Sequence, residues 1–228
     1  MQRTRSHQAH LVDECTMPVL DGETGKTLEY GQLKKHPKYQ KLWQQSYSNE
    51  SGSLCQGIVK GRKGSRGQRT EGTDTFNIIN YTDIPTERRS EITYTKVVCK
   101  VQEKKEDQNR TQIKIGGNHI CYLRDVGTST ASLDLVKLIL NSVLSHRDVK
   151  FTCFDISNFY LMTPMDRPQY VRIKLSDIPN EFINEYDLTN HTHQGWVYFE
   201  IVKDCYGLPQ SGKLSNDLIC TRLNKEGY

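Results

Sequence analysis

Phe151-Thr152-Cys153-Phe154-Asp155-Ile156-Ser157-Asn158-Phe159-Tyr160 is the stretch on which the reading of this chain turns. Phe151–Phe154 is short, apolar and aromatic, which predicts a buried strand, and that strand ends in Asp155. A carboxylate placed there is costly unless it is paired, hydrogen-bonded or bound to a metal. Taken alone, Asp155 reads rather as a helix N-cap or a partner for a nearby cation. Its company shifts the balance toward chemistry. Tyr160 follows five residues later, and Tyr206-Gly207-Leu208-Pro209-Gln210-Ser211-Gly212 lies about fifty residues on, between a predicted strand and a predicted helix.

Working outward from Asp155, alternation in Tyr170–Leu175 and in Trp196–Val202 predicts two strands paired as an antiparallel hairpin. The excursion between them, residues 176–195, holds a short helix near Glu181–Tyr186. After the glutamine turn an amphipathic helix carries Leu214, Leu218, Ile219 and Leu223, with Lys225-Glu226-Gly227-Tyr228 as its C-terminal cap. Upstream, Leu133–Leu144 is the strongest helical pattern, cappable by Thr130 or Ser132 and apolar enough to demand packing on two sides. Before it, Thr75–Tyr81, Ile92–Val101 and Thr111–Ile115 read as strands. The last two form a hairpin with the charged tip Glu103–Asn109, and Gly116-Gly117-Asn118 is a turn.

The first third is harder to read. Residues 27–47 suit a helix broken by Pro37. Asp21-Gly22-Glu23-Thr24-Gly25-Lys26-Thr27 contains Gly-Lys-Thr, but Leu20 stands where a phosphate loop needs its first glycine, so that motif is excluded. Lys60, Arg62, Lys63, Arg66 and Arg69 alternate with glycine and polar residues. Such a segment either touches a phosphate backbone or is a solvated loop.

Composition sets outer limits. The chain has 228 residues, 31 Lys+Arg against 27 Asp+Glu, a formal net charge of +4 and 35% hydrophobic residues. No apolar run reaches the roughly 18 residues of a membrane span, and the polar start at Met1-Gln2-Arg3-Thr4-Arg5 is no secretory signal. An intracellular location is expected, cytoplasmic or nuclear. Seven cysteines, spread singly without a Cys-x-x-Cys, suggest reduced and mostly buried thiols. His191-x-His193 lacks a nearby third ligand and reads as a polar loop.

Asp-Ile-Ser-Asn-Phe-Tyr-Leu (155–161) followed by Tyr-Gly-Leu-Pro-Gln-Ser-Gly (206–212) resembles the first and second active-site motifs of reverse transcriptases. Arg69–Thr75, Ile92-Thr93-Tyr94, Ile115–Asn118, Thr163-Pro164-Met165 and Tyr170–Ser176 sharpen the resemblance to the polymerase region of copia-type LTR-retrotransposon Pol polyproteins. It covers roughly residues 70–228. The fold it implies is α+β: an incomplete right-hand polymerase, with fingers and part of an antiparallel palm over 75–228. Residues 1–74 would be a polar leader of low order.

The resemblance also implies roles. Asp155 would be the catalytic carboxylate and, with the Ile156 carbonyl, a ligand for Mg²⁺. Backbone amides of Asn158 and Phe159 would face the triphosphate. Tyr160 would stack under the deoxyribose and exclude a 2′-hydroxyl, while Gln210 would contact the nucleotide beside sugar and base. A fingers cation from the hairpin would grip the phosphates, Lys114 first and Arg110 in reserve. Expected partners are an RNA or DNA template-primer and dNTP, with no membrane.

One departure limits the resemblance. Two-metal transfer needs further carboxylates, which the family supplies as an adjacent Asp-Asp pair on a later hairpin, and this sequence has no Asp-Asp. The rest of the palm, the thumb and ribonuclease H regions are not recognised either. The expectation is a polymerase fragment inactive by itself. The alternative is a non-catalytic retroelement remnant that at most binds nucleic acid.

Overall fold

The computed structural model describes residues 17–59, 68–102, 108–120, 122, 124–128, 131–152 and 155–227. In chain order the elements are β1 (Met17–Pro18), α1 (Tyr30–Leu33), α2 (Gln40–Leu54), β2 (Ile58–Val59), β3 (Gln68–Thr70) and β4 (Phe76–Ile79). Next come β5 (Thr93–Val101), β6 (Asn109–Ile115), α3 (Leu133–Ser145), β7 (Pro164–Lys174) and α4 (Asn180–Glu185). The last are β8 (Thr192–His193), β9 (Trp196–Lys203) and α5 (Ser211–Lys225). The class is mixed α+β, as expected.

A curled sheet organises the chain. β7 and β9 pair antiparallel from Gln169↔Ile201 to Lys174↔Trp196, and β4 lines the far side of β9 antiparallel. β5 joins the two halves. Its first residues pair parallel with β7 (Thr93↔Val171), and from Thr95 onward it pairs antiparallel with β6. Alternation decides the faces: Val171, Ile173, Val197, Phe199 and Ile201 point into the core, while Arg172, Lys174 and Trp196 point away.

Eight of the 22 described residues buried in the main core, from Val19 to Ile58, come from the segment expected to be a leader of low order, and the structure departs from that expectation. Trp43, Tyr47 and Leu54 of α2 are about 1% exposed and share one apolar cluster with Phe76, Ile113, Val171, Phe182 and Phe199. Burying each such large side chain is worth roughly 1.5–3 kcal/mol. Sequence reading undervalued α2 because its inner face also uses small polar residues, Ser46, Ser48, Ser51 and Gly52. Pro37 does interrupt the helical stretch, but the second helix runs on to Leu54.

Helix α2 also finishes the sheet. Strand β6 would leave a free edge, a template for unwanted pairing. Ser46 Oγ donates to Asn109 O (2.7 Å) and accepts from Thr111 N–H (2.9 Å). Glu50 Oε1 accepts from Ile113 N–H (3.3 Å), and Tyr206 O accepts from Ile115 N–H (2.8 Å). The outward N–H groups of Thr111, Ile113 and Ile115 are thereby satisfied.

Two further expectations change. α3 forms where predicted, with Ser132 Oγ accepting from Leu135 N–H, but none of its residues is buried and Leu144 is 85% exposed. Its cap and apolar run suffice to form the helix, and no described element covers it. Phe151 and Thr152 lie in exposed non-strand backbone rather than a buried strand; Cys153 and Phe154 lie outside the described residues. Among the described residues no helix is long and apolar enough to cross a membrane. Cys55 and Cys205 are buried free thiols whose pKa is pushed up by burial, whereas Cys220 is exposed.

Candidate functional site

The segment from Asp155 to Tyr160 bends through a turn in which Asn158 takes the left-handed conformation (φ 53°), tolerated by asparagine better than by most residues. Its far end is anchored. Thr163 Oγ1 donates to Phe159 O (3.0 Å), Met162 N–H to Asn158 O (3.0 Å), and Asp204 N–H to Thr163 O (2.7 Å).

The second motif is held against β6. Gly207 has φ 98°, and a Cβ there would come within 2.3 Å of Ile115 O; a Cβ on Gly117 would meet Gly207 O at 2.1 Å. Glycine is required on both sides of this contact. The Gly116-Gly117 turn and the Tyr206-Gly207 turn, nearly a hundred residues apart, therefore interlock.

Together these anchors open a cleft of about 500 Å³ lined by Arg110, Asp155, Ile156, Ser157, Asn158, Phe159, Tyr160 and Tyr206. Tyr160 meets Tyr206 edge-on, ring centres 5.6 Å apart. Burial pushes the Tyr206 hydroxyl pKa upward, with Arg110 pulling the other way. One guanidinium, one carboxylate and three aromatic rings thus face a shared space. Arg suits phosphate oxygens as a two-pronged donor, and the rings offer flat apolar surface to a sugar or base.

The motif residues Asp155, Ile156, Asn158, Phe159 and Tyr160 share this cleft, and the reserve cation Arg110 completes it. Lys114 sits on the same outward face of β6, four residues along, but does not line the cleft. Gln210 is 2% exposed and opens instead on a cavity of about 200 Å³ with Tyr122, Met165, Gln169 and Leu214. Its Oε1 has no hydrogen-bond partner among the described residues, and its Nε2 lies 3.8 Å from Met165 Sδ. A buried acceptor left open suits a water or a ligand donor.

Arg69, expected to touch nucleic acid, is engaged within the fold. Its Nη1 and Nη2 grip Glu181 at 2.6 and 2.8 Å, and Nε donates to Asn49 Oδ1 at 2.7 Å. Three of its five N–H donors thus tie β3 to α4 and α2. Lys60, Arg62, Lys63 and Arg66 lie outside the described residues. His191 and His193 are not in a featureless loop: His191 closes a 3₁₀ turn and contacts Asn80 Oδ1, and His193 belongs to β8.

Asp204, between β9 and the second motif, went unremarked in the sequence because a single acid after a strand carries no pattern. It is fully buried. Its Oδ1 accepts from Cys205 N–H (2.9 Å) and Ser211 Oγ (2.5 Å), and Oδ2 from Ser215 Oγ (3.3 Å). No cation pairs with it among the described residues, and burial raises its pKa despite these bonds.

Among the described residues the cleft is lined by a single carboxylate, and no cluster of three His, Cys, Asp or Glu could hold a metal ion. The residues present do not by themselves fit a Mg²⁺ pair. Compared with known proteins, the chain matches no family model, no curated protein and no solved structure.

Proposed function

We propose that the Asp155–Arg110 cleft is a nucleotide site and that the chain is the fingers and partial palm of an RNA-directed DNA polymerase of the copia-type retrotransposon class. The observation carrying this reading is the convergence of Arg110, on one hairpin, with Asp155–Tyr160 and Tyr206, from the two motifs, in one cleft. In this reading Arg110, rather than Lys114, meets the triphosphate, and Tyr160 with Tyr206 packs against the sugar.

Charge on the hairpin adds support. Lys96 faces Lys114 across the β5–β6 ladder. Like charges directly opposite are destabilising, and an incoming polyanion would relieve them. Template-primer would then lie along this face.

The chemistry of transfer needs more carboxylates than this cleft holds, so no catalytic step is assigned to it. Mg²⁺ would enter only with acidic residues supplied from elsewhere, by a longer polypeptide or a second chain. The uncovered apolar side of α3 fits the same idea, as a surface awaiting the remaining palm.

Binding of radiolabelled dTTP by photo-crosslinking tests the proposal. Saturable labelling should fall at least tenfold in Arg110→Gln, about the worth of a charged hydrogen bond, and Tyr160→Ala should erode preference over UTP. No saturable labelling of the native chain would overturn the nucleotide site. Incorporation of dNTP on a primed template by the 228-residue chain alone would overturn the incompleteness.

A further inference from the structure

On the sheet face turned away from the main core lies a second cleft, of about 370 Å³, that shares no residue with the Asp155 site. Its walls are Tyr81, Arg89, Arg172, His193, Gln194 and Tyr198, with Ser90 and Ile92, and they include no carboxylate. We propose that Arg89, Arg172 and His193 make this cleft a binding site for a phosphate group.

The two guanidinium groups are held by aromatic rings rather than by acids. Arg89 lies 4.5 Å over the Tyr81 ring centre, and Arg172 lies 4.5 Å over Trp196. Stacking fixes the plane of each group but leaves its edge open for in-plane hydrogen bonds. Arg89 spends only Nε on the Ile84 carbonyl (3.2 Å), and neither arginine forms an ion pair among the described residues. Nearby cations behave differently: Arg88 is neutralised by Glu91, which also takes Arg167.

Backbone and ring geometry set the third member. Gln194 (φ 51°) and Gly195 (φ 80°) make the two-residue turn between β8 and β9, with both residues left-handed as a type I′ turn requires. That turn places His193 opposite Trp196, and the His193 ring stacks flat on Tyr81 at 4.4 Å. Arg89, Tyr81 and His193 thus form one supported stack beside Arg172. Two preset forks with no internal anion suit a phosphate, which accepts paired N–H bonds in plane. The phosphate could be free or part of a nucleic-acid backbone.

Isothermal titration with inorganic phosphate, and a salt-dependent titration with a fluorescent single-stranded oligonucleotide, separate these sources. The variants are Arg172→Gln, at an exposed position, and the double variant Arg89→Gln/Arg172→Gln, both checked by near-ultraviolet circular dichroism. Arg172→Lys keeps the charge and removes only the fork. If the site takes free phosphate, the native affinity should drop tenfold or more in Arg172→Gln and persist in Arg110→Gln. If it takes a nucleic-acid backbone, the double variant should lower the slope of log affinity against log salt by about 1.4, two single-strand contacts. Unchanged binding of both probes in Arg172→Gln and in the folded double variant would overturn the proposal. Because Arg110→Gln reports on the other cleft alone, failure here and failure of the nucleotide reading are distinct results.

Discussion

Replacing Asp204 by Asn should leave the protein at least as stable at neutral pH, an outcome opposite to that expected for a buried ion pair. The reason lies in a hydrogen count. Ser211 Oγ is within bonding distance of both Asp204 Oδ1 and Cys205 O (2.7 Å), and Ser215 Oγ of both Asp204 Oδ2 and Thr163 Oγ1 (3.1 Å). Thr163 Oγ1 also reaches Phe159 O. Three hydroxyl hydrogens serve five contacts, so a proton on Asp204 would add a missing donor. The raised pKa, caused first by burial, points the same way. For an acid whose folded pKa exceeds its unfolded value, near 3.9, the stabilisation is complete below the unfolded pKa. It is lost as pH rises through the folded one.

Asparagine keeps an acceptor for Cys205 N–H and Ser211, and its amide donates toward Ser215 with no charge to desolvate. Asp204→Ala instead leaves the buried Cys205 amide without an acceptor, at about 1–3 kcal/mol, or roughly 2–12 °C in Tm for a chain of this size. Urea and thermal unfolding at pH 4 and pH 7 measure both variants. The Asn variant should match or exceed the native protein at pH 7, and the difference should close at pH 4. An Asn variant less stable than native by over about 1 kcal/mol at pH 7, close to one hydrogen bond, would refute the reasoning, as would a pH-independent difference.

Three other perturbations test separate parts of the structure. Trp43→Ala should cost about 3–5 kcal/mol in urea unfolding, because the side chain is 1% exposed within the shared core; a cost under about 1 kcal/mol, typical of surface positions, would detach α2 from it. Gly207→Ala should lower thermal stability by at least 1–2 kcal/mol, roughly the cost of a left-handed backbone with a Cβ, with the approach to Ile115 O adding more. Glu181, whose pKa Arg69 holds low, stabilises the fold above its unfolded pKa and loses that contribution as pH falls through the folded value. Glu181→Gln should therefore flatten the stability loss between pH 5 and pH 3, while costing no more than about 1 kcal/mol at pH 7, since the pair is partly solvated.

Pattern reading succeeds here where periodicity is strong and fails where side chains work by shape or by polar contact. The β5–β6 hairpin, β9, α4 and α5 stand close to their expected bounds, because alternation and glycine turns report them locally, whereas β7 begins at Pro164, six residues before its expected start. The helix after Pro37 was visible, but its role in the core was not, since Ser46, Ser48 and Ser51 are buried as packing and hydrogen-bonding groups rather than as hydrophobes. Phe151 misled because an apolar run says nothing about which partner would cover it. At the candidate site, the motif residues Asp155–Tyr160 do cluster, whereas the choice between Arg110 and Lys114 depended on strand geometry that spacing alone leaves open. Arg69 could not be told from its basic neighbours until Glu181, 112 residues away, was seen in its grip.

Ser46 has a consequence for the cleft that goes beyond stability. One hydroxyl holds the residues on both sides of Arg110, giving its hydrogen to Asn109 and receiving one from Thr111. A slip of β6 by one residue would break both bonds together and turn Arg110 to the opposite face of the hairpin. The strand is thereby kept in phase by a detent: it sits in one notch or leaves it entirely. Arg110 is consequently presented to the Asp155 segment in an all-or-none manner, and the helix from the polar first third acts as the gauge that sets where the cation stands.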